Sequence, residues 1–175
     1  MFIDIHELER EPREFEEVLQ PGRIAFGADV TQTAPMQVSG VAELLDKLHG
    51  REIHLSGSLA TTVETICDRC LEPTPRPIEI EFDLFYQPMK SIAHEEEIEL
   101  KPAELEIGFY EGHGLELEEV LKEQVLLTLP VKRVCREDCK GLCPHCGTDL
   151  NETTCECVVD EPDPRWDTLR ALKTE

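Results

Sequence analysis

The stretch RPIEIEFDLFYQP, residues 76–88, alternates large apolar and acidic side chains with a period of two. The apolar members take the even positions, namely Ile78, Ile80, Phe82, Leu84 and Tyr86. Successive side chains of a β-strand point to opposite faces, so this pattern predicts a strand with one apolar and one acidic face. Such a strand is typical of an antiparallel sheet that buries one side and exposes the other to water.

A second stretch with the same period lies upstream. Its apolar side chains are Ile53, Leu55, Leu59 and Val63, with mostly polar or small residues between them. MQVSGVAELLDKL (residues 36–48) and LEIGFYEG (residues 105–112) alternate less regularly and predict two further strands. Together these segments predict one antiparallel sheet with its dry side in the core.

Helical patterns occur at three places. LELEEVLKEQVLLTLP, residues 115–130, predicts an amphipathic helix. Its apolar side carries Leu117, Val120, Leu121 and Val125. REPREFEEVLQPG, residues 10–22, predicts a brief helix after a short strand in FIDIHEL, residues 2–8. Asp163 and Pro164 have the residue types of an N-cap and a first helical position, which predicts a short C-terminal helix.

Six of the eight cysteines lie in CREDCKGLCPHCGTDLNETTCEC, residues 135–157. Cys143 and Cys146 have the CxxC-Gly form of a zinc knuckle, because two intervening residues let both sulfurs reach one ion about 2.3 Å away. Cys155 and Cys157 follow a polar, turn-like connection. These four thiols predict a closed four-sulfur metal site, in which zinc is favoured over an iron–sulfur centre.

The remaining thiols are Cys135, Cys139 and a second CxxC pair, Cys67 and Cys70, at the end of an expected strand. Dividing the eight cysteines into four and four gives a second zinc site, which ties the sheet to the C-terminal region. The protein would then hold two Zn²⁺ ions. The rival division has a single site drawn from the C-terminal six, with the other cysteines free or packed.

A CxxC pair can instead be a dithiol redox centre, but such pairs usually open a helix in a thioredoxin-like unit. Cys67 and Cys70 precede LEPTPRP, residues 71–77, whose three prolines oppose a helix. We recognise no nucleophile–base signature and no glycine-rich phosphate loop in the sequence. Because four-cysteine sites have no open ligand position, we expect structural metal sites and no enzymatic activity.

The predicted fold class is α+β: an antiparallel β-sheet body with an amphipathic helix and a C-terminal cysteine-rich module of zinc-ribbon type. We place the β-rich body at residues 1–130, with an acidic loop near residues 88–102. The cysteine-rich module and the terminal helix occupy residues 131–175. We expect the two parts to pack together as one unit.

The charge is strongly negative, with 38 acidic against 17 basic residues and a formal net charge of −21. A field of this sign repels phosphate backbones and attracts basic proteins. An acidic surface also improves solubility without any partner. Four basic residues, Lys132, Arg133, Arg136 and Lys140, surround the first cysteines of the C-terminal stretch. They would either offset the charge of zinc–thiolate sites or provide a local contact to RNA.

The sequence predicts a cytoplasmic protein. Its start is acidic and holds no apolar run of signal-peptide length, and no stretch approaches about 18 consecutive apolar residues. In a reducing cytosol, cysteines bind metal or react more often than they form disulfides.

Three segments resemble the YceD family, the large ribosomal RNA subunit accumulation proteins. They are CDRCLEP (residues 67–73), Leu129-Pro130 after the amphipathic helix, and CREDCKGLCPHCGTDLN (residues 135–151) with the following CEC and DPRWDTLRAL. Order and spacing agree over roughly residues 38–172. The resemblance implies a bacterial or organellar factor needed for normal accumulation of large-subunit ribosomal RNA, with the cysteines as zinc ligands.

The residues and the resemblance together predict a non-enzymatic ribosome biogenesis factor that supports accumulation of large-subunit (23S) ribosomal RNA. The charge favours a basic ribosomal protein or a pre-ribosomal particle as partner, with RNA contact at most local and no membrane or small-molecule substrate. One alternative is a thiol–disulfide oxidoreductase that cycles Cys67 and Cys70 without metal loss. Another is a zinc-ribbon regulator of transcription, which would need a larger basic face to bind DNA alone.

Overall fold

The computed structural model describes residues 1–47, 50–89 and 107–157. The elements in these ranges are β1 (Phe2–Asp4), α1 (Ile5–Leu8), β2 (Arg13–Leu19), β3 (Val30–Gln32), β4 (Met36–Lys47), β5 (Gly50–Ile66), β6 (Pro73–Pro88), β7 (Ile107–Tyr110), β8 (Gly114–Glu116) and α2 (Leu117–Thr128). The predicted acidic loop lies outside the described residues beyond Met89, and so does the predicted C-terminal helix. The division of the chain at residue 130 stays a prediction.

The main sheet has the strand order β2-β4-β5-β6-β7, and β3 pairs with the end of β5. Strands β4, β5 and β6 are long antiparallel neighbours, in which Ala42 lies opposite Leu55 and Leu55 opposite Leu84. The strands predicted around Ile53 and Ile78 are thereby confirmed, as is the weaker one in residues 36–48. Strand β7 runs parallel to β6, so the sheet is mixed rather than purely antiparallel.

The N-terminal helix predicted for residues 10–22 is wrong. This segment contains β2, which pairs antiparallel with β4 and places Phe15 opposite Gly40. Phe15 and Leu19 are buried and Glu14 and Glu16 are exposed, which is a strand period that the run of glutamates obscures in the sequence. FIDIHEL is a strand only in its first half, because a single helical turn, α1, begins at Ile5.

The core lies on one side of the main sheet, called here the core face. The predicted apolar side chains of β5, from Ile53 to Val63, are at most 1% exposed. Those of β6 are buried at Ile78, Phe82 and Tyr86 and partly buried between them. Helix α2 contributes to the same cluster with its predicted apolar side: Leu117, Val120, Leu121 and Val125. The apolar side chains predicted by strand periodicity and those predicted by helix periodicity therefore pack in one core, as expected for an amphipathic helix on a sheet.

The opposite side of the sheet, called here the water face, carries the acidic residues. Glu79, Glu81 and Asp83 are exposed there, as the alternation in β6 predicts. His54 is on this face too and contacts two side chains of β6. Its Nε2 lies 2.5 Å from Asp83 Oδ1, and its ring stacks on Phe85 with centroids 4.6 Å apart. Neither helix among the described residues is long and apolar enough to cross a membrane.

Candidate metal centres

The structure gathers the eight cysteines into two groups of four, and within each group all Sγ atoms lie within 4.8 Å of one another. The first, called here the clasp group, is formed by Cys67, Cys70, Cys135 and Cys139. The second, called here the terminal group, is formed by Cys143, Cys146, Cys155 and Cys157. This is the four-and-four arrangement that the spacing suggests, rather than a single site drawn from residues 135–157.

The spacing of the sulfurs fits a single tetrahedral ion. In the clasp group Cys67 Sγ lies 3.9 Å from Cys139 Sγ, and Cys70 Sγ lies 3.7 Å from Cys135 Sγ. Four sulfurs at about 2.3 Å from a central Zn²⁺ would be about 3.8 Å apart at the corners of a tetrahedron. A disulfide needs about 2.05 Å, and all eight thiols are free. The donor set and the distances therefore suit a metal ion held by four thiolates.

The two CxxC pairs have the same local structure. Cys67 N donates to Glu72 O while Leu71 N donates to Cys67 O, both at 2.9 Å. In the terminal group Cys143 N donates to Thr148 O at 2.8 Å, and Gly147 N donates to Cys143 O at 2.9 Å. The residue after the second cysteine is left-handed in both, with φ of 63° at Leu71 and 73° at Gly147. Both pairs are thus knuckles that turn the chain around two sulfurs.

The clasp group joins the sheet to the chain that follows α2. Cys67 comes directly after β5, whereas Cys135 and Cys139 lie beyond α2. Backbone hydrogen bonds reinforce this junction: Asp68 N donates to Arg133 O at 2.7 Å, and Leu142 N donates to Arg69 O at 3.0 Å. The four thiols of the clasp group are therefore set in a small framework of hydrogen bonds between the β5–β6 connection and residues 133–142.

Arg69 and Asn151 support this framework with their side chains. Arg69 Nη1 donates to Cys139 O at 2.6 Å. Asn151 Oδ1 accepts from Arg136 Nη2 at 2.9 Å and from Lys140 N at 2.8 Å, and its Nδ2 lies 3.5 Å from Cys139 Sγ. Asn151 therefore connects the loop of the clasp group to the chain of the terminal group.

The two groups differ in exposure. In the clasp group Cys67, Cys70 and Cys139 are at most 5% exposed, whereas Cys135 is exposed. In the terminal group Cys143 is buried and Cys146 is exposed, while Cys155 and Cys157 are intermediate. The clasp group is thus largely inside the protein and the terminal group is largely at its surface.

Hydrogen bonds to sulfur favour thiolates at two positions. Burial raises the pKa of the Cys67 thiol, but backbone N–H donors from Cys70, Arg69 and Cys135 outweigh it and bring the pKa to about 6. The hydroxyl and backbone N–H of Thr148 lower the pKa of Cys146 to about 6. Donors aimed at sulfur stabilise the ionised form that metals bind.

The four basic residues near the clasp group are not equally available. Arg136 bonds Asn151 and lies 3.3 Å from Asp138, and Arg133 lies 3.9 Å from Asp29. Lys132 and Lys140 are exposed. The two arginines are thus partly engaged by neighbouring acidic and amide groups, and the two lysines are the more accessible cations.

The family model described as Large ribosomal RNA subunit accumulation protein YceD matches residues 55–173, which is more than half of the chain. The chain belongs to the YceD family. The matched range contains all eight cysteines and both knuckles, so both candidate metal centres lie within the part of the chain that the family model covers.

Several curated proteins are similar to this member of the YceD family. An uncharacterised protein of Mycobacterium tuberculosis strain H37Rv is 34% identical over 113 residues, covering 64% of this chain and 51% of the relative. The large ribosomal RNA subunit accumulation protein YCED homolog 1, chloroplastic, of Arabidopsis thaliana is 23% identical over 176 residues, covering 84% and 51%. The chain thus spans about half the length of these relatives. No solved structure matches it.

Sequence reasoning missed several residues that shape these centres. Arg69 and Asn151 carry no motif of their own, although both lie within the quoted cysteine segments. Leu71 could have been found by comparing the knuckles, because it occupies the place of Gly147 after the second cysteine.

Proposed function

We propose that this chain is a non-enzymatic factor of ribosome assembly that supports accumulation of large-subunit ribosomal RNA. The observation that carries the proposal is the match of the YceD family model across both four-cysteine groups. The relative from Arabidopsis is named for the same role. We place the action of this chain in the cytoplasm.

The eight cysteines are proposed to hold two zinc ions, one in each group. Zinc would supply cross-links between distant segments rather than reactive chemistry, because four thiolates fill a tetrahedral shell and leave no open position. The chain's own groups prepare these sites: backbone N–H groups of Arg69, Cys70 and Cys135 point at the sulfur of Cys67, and Asn151 Nδ2 lies 3.5 Å from Cys139 Sγ. In this proposal the clasp group keeps the C-terminal region fixed against the sheet.

The proposed partner is a basic large-subunit ribosomal protein, or a precursor particle bound through one. The net charge of −21 repels bare RNA, and the same field attracts a basic protein segment. Contact with RNA would be local and confined to the neighbourhood of Lys132 and Lys140, since Arg133 and Arg136 have acidic or amide partners.

Two alternatives are less well supported. A thiol–disulfide oxidoreductase needs one cysteine pair free to cycle, whereas Cys67 and Cys70 each lie within 4.8 Å of Cys135 and Cys139. A zinc-ribbon regulator that binds DNA needs a broad basic face, whereas the four basic residues near the clasp group include two arginines beside carboxylates.

The proposed function is tested in cells that lack the chain. We expect the ratio of large- to small-subunit ribosomal RNA to fall and to recover when the wild-type chain is supplied. The purified, metal-loaded protein should bind basic large-subunit proteins with an affinity that falls as salt rises, and deproteinised large-subunit RNA only weakly. Tight binding to bare RNA, abolished by neutralising Lys132, Arg133, Arg136 and Lys140 together, would replace this proposal with direct RNA recognition. A normal RNA ratio without the chain would refute the role itself.

A further inference from the structure

The water face of the main sheet forms an open trough of ≈ 870 Å³. Its floor is made by residues of β4 and β5, mostly serine and glycine with Val41 beside them. It continues into a second concavity of ≈ 430 Å³ along the same strands, where Gln37 and Ala60 lie. The floor includes Ser39 of β4 and Ser58 of β5, whose Oγ atoms are 3.5 Å apart. Small side chains in the middle of a sheet face, with longer ones on both flanks, leave room for a chain to lie along the strands.

Strand register places carboxylates on both walls of this trough. One row across the sheet runs from Glu16 through Ser39 and Ser58 to Glu81, and each residue lies directly opposite the next. The rows on either side run from Glu14 through Val41 and Ser56 to Asp83, and from Val18 through Gln37 and Ala60 to Glu79. The acidic residues of these rows are exposed, and none of the residues in the three rows is a lysine or arginine.

This charge pattern is unfavourable for the sheet alone. Carboxylates that follow one another on the same face of a strand are about 7 Å apart, which is within the Debye length of about 8 Å at physiological salt. No basic residue lies opposite Glu14 and Glu16 on β4, or opposite Glu79 and Glu81 on β5, to offset this repulsion. A surface that repels itself in this way gains most from an external chain that brings positive charge.

We propose that the trough is a docking site for an extended, lysine- or arginine-rich segment of a partner protein. The two walls are three strand spacings apart, or about 14 Å, so a chain along the floor has carboxylates about 7 Å to either side. Side chains of an extended segment alternate left and right and repeat on each side about every 7 Å. That repeat equals the spacing of Glu14 and Glu16 on one wall and of Glu79 and Glu81 on the other. The occupant is therefore a segment in which basic residues recur along an extended backbone.

This inference rests on the proposed function for its choice of a basic partner, but it can fail independently. The test uses the whole 175-residue, metal-loaded chain and a fluorescent peptide of about eight residues with four consecutive lysines between serines, which in extended form sends two lysines to each wall. A peptide of equal composition that alternates lysine and serine is the comparison, because all its lysines project to one side and reach one wall only. Binding is measured by fluorescence anisotropy at low and at physiological salt.

The trough variant carries Glu14→Gln, Glu16→Gln, Glu79→Gln and Glu81→Gln. A matched control carries Glu11→Gln, Glu111→Gln, Glu116→Gln and Glu119→Gln, which are exposed acidic residues away from the trough that change the net charge equally. We expect the trough variant to bind the block peptide about tenfold or more weakly, because it loses four ion pairs, and the control to stay within about twofold of wild type. Amide NMR signals of Ser39 and Ser58 should shift on binding to the wild-type chain.

Equal losses in both variants would show that bulk charge alone attracts the peptide, and this would overturn the docking site. Equal affinity of the wild-type chain for the alternating peptide would overturn the extended register. Unchanged metal content and circular dichroism in both variants establish that a loss is not caused by unfolding. A normal large-subunit RNA level in cells without the chain counts against the proposed function only, whereas the peptide results decide the trough.

Discussion

Replacing Cys67 by serine tests the clasp group most directly. Cys67 is fully buried after β5, and its sulfur lies 3.9 Å from that of Cys139, 72 residues along the chain. A serine oxygen is a poor substitute for a thiolate toward a soft ion. We therefore expect Cys67→Ser to lose one of two zinc ions. The matched variant, Cys146→Ser, should also lose one ion, from the terminal group.

The two variants should differ in what they do to the sheet. A cross-link that closes a loop of about 72 residues restricts the unfolded chain by about 4 kcal/mol in the chain-entropy model, and a loop of about 15 residues by about 3 kcal/mol. The clasp loop encloses β6, β7, β8 and α2, whereas the terminal group closes only residues 143–157. Cys67→Ser should therefore lower the free energy of unfolding of the sheet by about 4 kcal/mol, and Cys146→Ser should leave it nearly unchanged.

The assay combines metal analysis after gel filtration with urea unfolding followed by far-ultraviolet circular dichroism. With a slope of about 2 kcal/mol per molar urea, the expected loss moves the midpoint by about 2 M. If Cys67→Ser retains both ions, the four-and-four division is incorrect. If both variants shift the sheet's midpoint by the same amount, the clasp group does not join the two parts of the chain.

Three further predictions concern other parts of the structure. Gly147→Ala should destabilise the terminal group by about 1 kcal/mol, because a φ of 73° strains any residue that has a Cβ. Leu71→Gly should slightly stabilise the knuckle of the clasp group for the same reason. Measurement of zinc affinity tests both variants. Gly57→Ala should lower the free energy of unfolding, measured in urea, by about 1–3 kcal/mol, because the added Cβ would lie 2.3 Å from Ser39 O. The control variant Ser58→Ala should change it little. The hydrogen bond from Arg23 lowers the pKa of Glu118. This carboxylate therefore stabilises the fold above its ordinary pKa of 4.5, so Glu118→Gln should cost up to about 1 kcal/mol at neutral pH, and this cost should fade as the pH falls from 4.5 through the lowered pKa of the folded state.

Local periodicity was enough to predict the central strands and α2. In β6 the apolar residues alternate without interruption, and in β5 only Gly57 and Thr61 break the series. Burial of one face leaves a single register for both strands. In β2 the same period is present at Phe15 and Leu19, but the surrounding glutamates satisfy a helical pattern equally well over so short a segment. Pairing with β4 decides between the two, and such pairing is a tertiary effect that the segment does not encode.

The cysteines of the candidate metal centres could be predicted from the sequence, but the residues that hold those cysteines in place could not. Counting cysteines suggests two groups of four, because each CxxC pair supplies two of the four ligands that a tetrahedral ion needs. The left-handed backbone of Leu71 has no signal in its side chain, since leucine rarely adopts that conformation. Asn151 serves both groups through contacts to Arg136, Lys140 and Cys139, which only the folded chain brings together.

The separation of the clasp ligands along the chain also sets an order of events during synthesis. Cys67 and Cys70 leave the translating ribosome as a pair, and Cys139 follows 72 residues after Cys67. At about 5–20 residues per second, the first two thiols wait roughly 4–14 s for the last ligand. By then β5, β6 and α2 have all been made, so a metal ion held by all four thiols of the clasp group would be captured only after these elements have been synthesised.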